Sequence, residues 1–122
     1  IACWVDSEAQ IDAVTAVSGS GPAYYFLVME VMQKVAEELG LSPETARQLT
    51  IQTALGAAQM ASSGELDTTQ LRRQVTSPGG TTHAAIETFK QGGIEEAFRQ
   101  AMQAALNRAE EMSKEFSSQT GK

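Results

Sequence analysis

IEEAFRQAMQAALNRAEEMSKEF, residues 94–116, is the clearest helix signal in the chain. Ile94, Phe98, Met102, Leu106, Ala109, Met112 and Phe116 fall on one stripe at helical spacing, with charged residues opposite. So long an amphipath needs other helices to cover its apolar side. Outward from it, Gly92-Gly93 closes a preceding helix marked by Ala85, Ile86 and Phe89. A second long helix is expected over residues 22–39. Its first half, Tyr24 to Met29, is apolar on every side and predicts deep burial. Its second half sets Val31, Val35 and Leu39 against Lys34, Glu37 and Glu38.

The remaining segments carry their own start and stop signals. Ser42-Pro43 opens a helix whose inner face would be Ala46, Leu49, Thr50, Thr53, Ala57 and Met60. Asp67 and Gln70 have capping-box spacing for a short helix through Leu71 and Val75. Near the start, Asp6-Ser7 offers caps for a helix that buries Ile11, Ala13, Val14 and Val17. Gly19 is expected to stop that helix in the left-handed region, with Ser20 capping the next one and Pro22 in its first turn. Ile1 to Val5 is short, apolar and β-prone, so residues 1–6 read as the end of a linker. Residues 117–122 form a polar tail with no reason to fold. The expectation is one all-α domain, residues 1–122, of about six helices with two long ones. Long apolar faces on so short a chain point to a dimer.

Composition removes several function classes. The formal charge is −6 and no basic run occurs, which argues against nucleic-acid binding. No stretch is long and apolar enough to span a bilayer, which argues against a membrane partner. Cys3 is the only cysteine, so a disulfide framework is excluded and a reducing, cytoplasmic setting is expected. His83 is the only histidine, which leaves no metal cluster and no His-based triad with a clear partner. The pairs Glu37-Glu38, Glu95-Glu96 and Glu110-Glu111 read as solvated helix faces. The opening IACWVDSEAQ, with no initial methionine, reads as the middle of a longer polypeptide.

Chemistry is concentrated in QVTSPGGTTHAAIETFK, residues 74–90. Ser77, Pro78, Gly79, Gly80, Thr81 and Thr82 form a turn that delivers backbone N–H groups to a helix start. Those first N–H groups lack internal partners and carry the positive end of the helix dipole. Paired glycines let a carboxylate or phosphate approach the backbone closely, although an ordinary loop and cap have the same composition. The segment is neither a P-loop, lacking Lys-Ser/Thr after its glycines, nor a dinucleotide fingerprint, lacking a preceding strand. Hydroxyls and amides can hold and polarise a small anion, but a reagent must come from elsewhere.

QVTSPGGTTHAAIETF (residues 74–89), DAVTAVSGSGPAYYF (12–26) and ALGAAQM (54–60) together resemble the C-terminal domain of pyrroline-5-carboxylate reductase. The resemblance covers nearly the whole chain. It implies reduction of Δ1-pyrroline-5-carboxylate to L-proline by hydride from NADPH or NADH, bound mainly by an N-terminal Rossmann domain that this chain lacks. It also implies an intertwined helical homodimer, five of which form a decamer in some members. By position, the backbone around Gly79, Gly80, Thr81 and Thr82 would hold the substrate carboxylate. The Thr82 hydroxyl would hydrogen-bond the ring nitrogen as the catalytic group, with Ser77 in support. Glu8 matches a pocket-lining position, and Gln74 stands where some members contact the cofactor through Asn. With the cofactor domain absent, the chain alone is expected to be inactive. The competing readings are a related dehydrogenase acting on another small carboxylate and a non-catalytic dimerisation module.

Overall fold

The computed structural model describes residues 7–120, with side chains through residue 117. The linker end expected over residues 1–6, Cys3 with it, lies outside the described residues. Six α-helices follow in order: α1 (Glu8–Val14), α2 (Gly21–Glu38), α3 (Pro43–Ser62), α4 (Thr68–Gln74), α5 (Thr81–Gln91) and α6 (Ile94–Thr120). A π-helical turn, Thr15–Gly19, joins α1 to α2. No strand occurs among the described residues. The all-α expectation holds.

Three helix starts are set by side chains a few residues away. Ser7 Oγ accepts from Gln10 N–H at 3.2 Å to start α1. Ser42 Oγ accepts from Thr45 N–H at 3.2 Å to start α3, with Pro43 in the first turn. At α4 the capping box is complete: Asp67 accepts from Gln70 N–H at 2.8 Å, and Gln70 accepts from Asp67 N–H at 2.9 Å. The stop after α2 is a Schellman motif. Gly40 sits at φ +108°, Leu41 N–H donates to Ala36 O, and Gly40 N–H donates to Glu37 O.

Two compact units divide the chain: Ile1–Tyr24 with Gly93–Lys122, and Tyr25–Gly92. In the first, α6 packs on the π turn and on α1, and Ala16 is buried. On the solvent side of α6, Arg99 pairs with Glu95 at 2.8 Å and with Glu96, and Arg108 pairs with Glu111 at 3.0 Å. Hydrogen bonds to Glu95 and Glu96 hold the Arg99 guanidinium above its ordinary pKa. In the second unit α3 packs on α4, and Ala46 and Thr50 of α3 are buried.

Several expectations need correction. Tyr24 to Met29 is not deeply buried within one copy: Tyr25 is 70% exposed, Phe26 65% and Leu27 60%. Ile11, Val14 and Val17 are likewise exposed, as are Leu49 and Met60 of α3. Periodicity identifies a face that wants cover; it does not say that the same copy supplies it. Gly19 is not left-handed, because positive φ among the described glycines is confined to Gly40, Gly64, Gly79 and Gly93. Ser20 engages α2 through its carbonyl, which accepts from Ala23 N–H at 3.1 Å. Three helices are long rather than two, since α3 has 20 residues against 18 in α2 and 27 in α6. Finally, α6 continues past Phe116 to Thr120, because no glycine or proline interrupts it before Gly121. Gly121 and Lys122 of the expected tail lie outside the described residues.

Candidate functional site: the turn that starts α5

Residues 74–82 build the site from a helix end, a tight turn and a helix start. Gln74 is the last residue of α4 and is exposed. Thr76 then turns its hydroxyl back onto the helix, donating to Arg72 O at 2.5 Å. That bond satisfies one of the carbonyls a helix end leaves open, so Thr76 is committed to structure. Gly80 N–H donates to Ser77 O at 3.1 Å, closing a four-residue turn with Pro78 second and Gly79 third at φ +74°. This is the pattern of a type II turn: proline presets the second position, and only glycine takes the third without strain.

Gly80 is the N-cap of α5, with φ −84° and ψ −178°. Any residue could adopt that backbone, so the requirement for glycine is steric. A Cβ built on Gly80 would lie 2.6 Å from Ser77 Oγ and 3.3 Å from Ser77 O. The bare α-carbon lets the Ser77 hydroxyl sit against the helix start. Thr81 and Thr82 occupy the first two positions of α5, and both are exposed. His83 follows them, also exposed.

The electrostatic character of this start comes from what caps it. The helices α1, α3 and α4 each begin under a side-chain oxygen, whereas α5 has no side-chain cap. Its leading N–H groups therefore meet no internal acceptor, and the partial positive charge of the helix terminus is left facing outward. Gly79, Gly80, Thr81, Thr82 and Ser77 are brought together here, with Gln74 three residues upstream. Glu8 belongs to the other unit, where it lines an open groove of about 800 Å³ with Ile11, Asp12, Glu110, Lys114 and Phe116.

Sequence reasoning missed one arrangement. The Tyr24 hydroxyl donates to Ala16 O at 2.7 Å, across a π turn that periodicity cannot reveal. The hydroxyls of Thr15, Ser18 and Tyr24, clustered around the junction, were the available hint. Among the described residues, no three His, Cys, Asp or Glu side chains gather closely enough to hold a metal ion. No helix among them is long and apolar enough to cross a membrane.

Comparison with known proteins gives the site a context. The family model for pyrroline-5-carboxylate reductase dimerisation matches residues 8–112. A pyrroline-5-carboxylate reductase of Pseudomonas aeruginosa is 60% identical over 116 residues, covering 95% of this chain and 42% of that protein. The chain thus spans less than half the length of that curated relative. The structure of a reductase of the same name from Coxiella burnetii superposes with a TM-score of 0.85 at 56% identity, over 88% of this chain and 40% of that one. A Plasmodium falciparum pyrroline carboxylate reductase with NADP bound gives a TM-score of 0.83 at 30% identity, over 88% of this chain and 41% of that one. A chain that matches the family's model from Glu8 to Met112 and shares its helical architecture belongs to the pyrroline-5-carboxylate reductase dimerisation family.

Proposed function

We propose that this chain is the substrate-holding and self-associating half of an enzyme that reduces Δ1-pyrroline-5-carboxylate to L-proline. The observation that carries the reading is the start of α5, a helix whose N-cap is a bare glycine with no side-chain oxygen on its first amides. A substrate carboxylate would take the place that Asp67 or Ser42 fills on the neighbouring helices. The Gly80, Thr81 and Thr82 backbone would hold it, with Ser77 adding a hydroxyl at the edge. The Thr82 side chain, one residue into the helix, would donate its hydroxyl to the ring nitrogen. A hydrogen bond there draws electrons from the C=N bond, so the ring carbon accepts hydride and the nitrogen takes a proton.

A bound NADPH or NADH supplies the hydride. The described residues contain no strand followed by a glycine-rich turn and helix, so the main cofactor grip is not theirs. Gln74 alone, exposed at the end of α4, could add an amide contact from this side. Glu8 is kept as a pocket-lining position on the resemblance only. The exposed run Tyr25, Phe26, Leu27 and Val28 is the surface a second copy would cover, giving a homodimer. Light scattering after size exclusion would distinguish a dimer from a decamer. Lacking a cofactor grip of its own, the 122-residue chain by itself is expected to turn over no substrate. A small-molecule substrate, a reducing cytoplasmic setting and no nucleic-acid or membrane partner complete the proposal.

The test is NAD(P)H oxidation by the full-length protein with pyrroline-5-carboxylate. Thr82→Ala should lower turnover by roughly 100-fold or more while the helical circular dichroism and the assembly stay unchanged. Turnover indifferent to Thr82 would remove this account of the site.

A further inference from the structure

The junction between α1 and α2 contains one residue more than a continuous α-helix would accommodate. In the π turn, Ser20 N–H donates to Thr15 O at 2.9 Å, five residues back. In an α-helix the same N–H would serve Ala16 O, four residues back. Because Thr15 has claimed it, the Ala16 carbonyl is left over, on a residue that is itself buried. The Tyr24 hydroxyl meets that carbonyl at 2.7 Å. Two further hydroxyls fold onto the turn leading in: Thr15 Oγ1 donates to Ile11 O at 3.1 Å, and Ser18 Oγ to Val14 O at 2.9 Å. Side-chain donors on helix carbonyls bend and loosen the α ladder at the point where the π turn begins.

We infer that Tyr24 is a positioning residue: its hydroxyl takes the carbonyl orphaned by the π turn, holds that turn in register, and so sets which face of α1 meets α6. A buried carbonyl without a partner is costly, whereas the π and α registers make nearly the same number of backbone bonds. With the Tyr24 bond present, the π register leaves neither Ser20 N–H nor the buried Ala16 carbonyl without a partner. Without it, Ser20 N–H returns to Ala16 O and the turn becomes α. That slip of one residue rotates the preceding helix by roughly 100° and moves it about 1.5 Å along its axis. The groove lined by Glu8, Ile11 and Asp12 from α1 and by Glu110 and Lys114 from α6 would then lose its present walls. Short π turns occur disproportionately at functional positions, and this one aims α1.

Couplings transmitted through hydrogen bonds name the acceptor of each amide directly, and they can be read on the 13C,15N-labelled chain. Wild type should connect Ser20 N to the Thr15 carbonyl carbon. Tyr24→Phe should instead connect Ser20 N to the Ala16 carbonyl carbon, with large shift changes along residues 8–14. A Tyr24→Phe chain that keeps the Ser20–Thr15 connection overturns the inference. A second reading needs no variant: in wild type the Tyr24 hydroxyl proton should exchange with water at least tenfold more slowly than that of free tyrosine under the same conditions. Equal exchange of the two would also overturn it.

Discussion

Two helix starts in the same unit, with N-caps at Asp67 and Gly80, are built in opposite ways. At α4, Asp67 and Gln70 satisfy each other's backbone N–H groups, and the start is closed. At α5, Gly80 contributes no side chain, a type II turn feeds it, and the start is open. Both obey the same rule, that the first amides of a helix need acceptors. The difference is where the acceptor comes from. A closed start contributes to stability; an open one gives up that contribution and leaves its first amides without a side-chain acceptor.

The contrast can be broken most sharply at Gly80. Gly80→Ala places a methyl against the Ser77 hydroxyl, which can rotate away. The fold should survive, while reductase turnover of the full-length protein falls by about 100-fold, on the scale of losing a positioned hydrogen-bond donor. Unchanged turnover would mean that the close fit of Ser77 and Gly80 has no part in the site. Next in size is Gly79→Ala, which forces a side chain into φ +74°. It should destabilise by roughly 1–2 kcal/mol, measured by urea denaturation at fixed chain concentration.

Asp67→Ala tests the closed start. It should cost about 1 kcal/mol and lower Tm by a few degrees, with turnover untouched. Loss of turnover there would erase the distinction between the two starts. The smallest effect is expected for Arg99→Gln on α6. Its pairs with Glu95 and Glu96 are solvent-exposed, so thermal melts in low and high salt should nearly coincide with wild type.

Much of the fold was legible residue by residue. Ser7, Ser42-Pro43 and Asp67-Gln70 each announce a start, and the structure makes the bond each implies. Gly40 and Gly93 announce stops and take positive φ there. The elements of the site turn were legible too, because Pro78 restricts its own backbone and Gly79 permits the positive φ that follows it. What covers the apolar run of α2 was not legible, for a different reason. Its hydrophobicity was read correctly, but what covers it depends on surfaces far away in sequence or on another copy. The length of α6 was underestimated because a polar residue such as Ser117 weakens a helix without ending it.

By itself the sequence determined where α1, α3 and α4 begin, where α2 stops and which turn feeds the start of α5. Each of those outcomes rests on bonds between residues three to five apart, whose partners are written side by side. Only the tertiary structure decided that Thr15–Gly19 takes the π register, that Tyr24 meets Ala16, and that Ser77 lies against Gly80. These depend on small differences between competing backbone registers, resolved by which carbonyl or α-carbon a side chain can reach once the chain has folded.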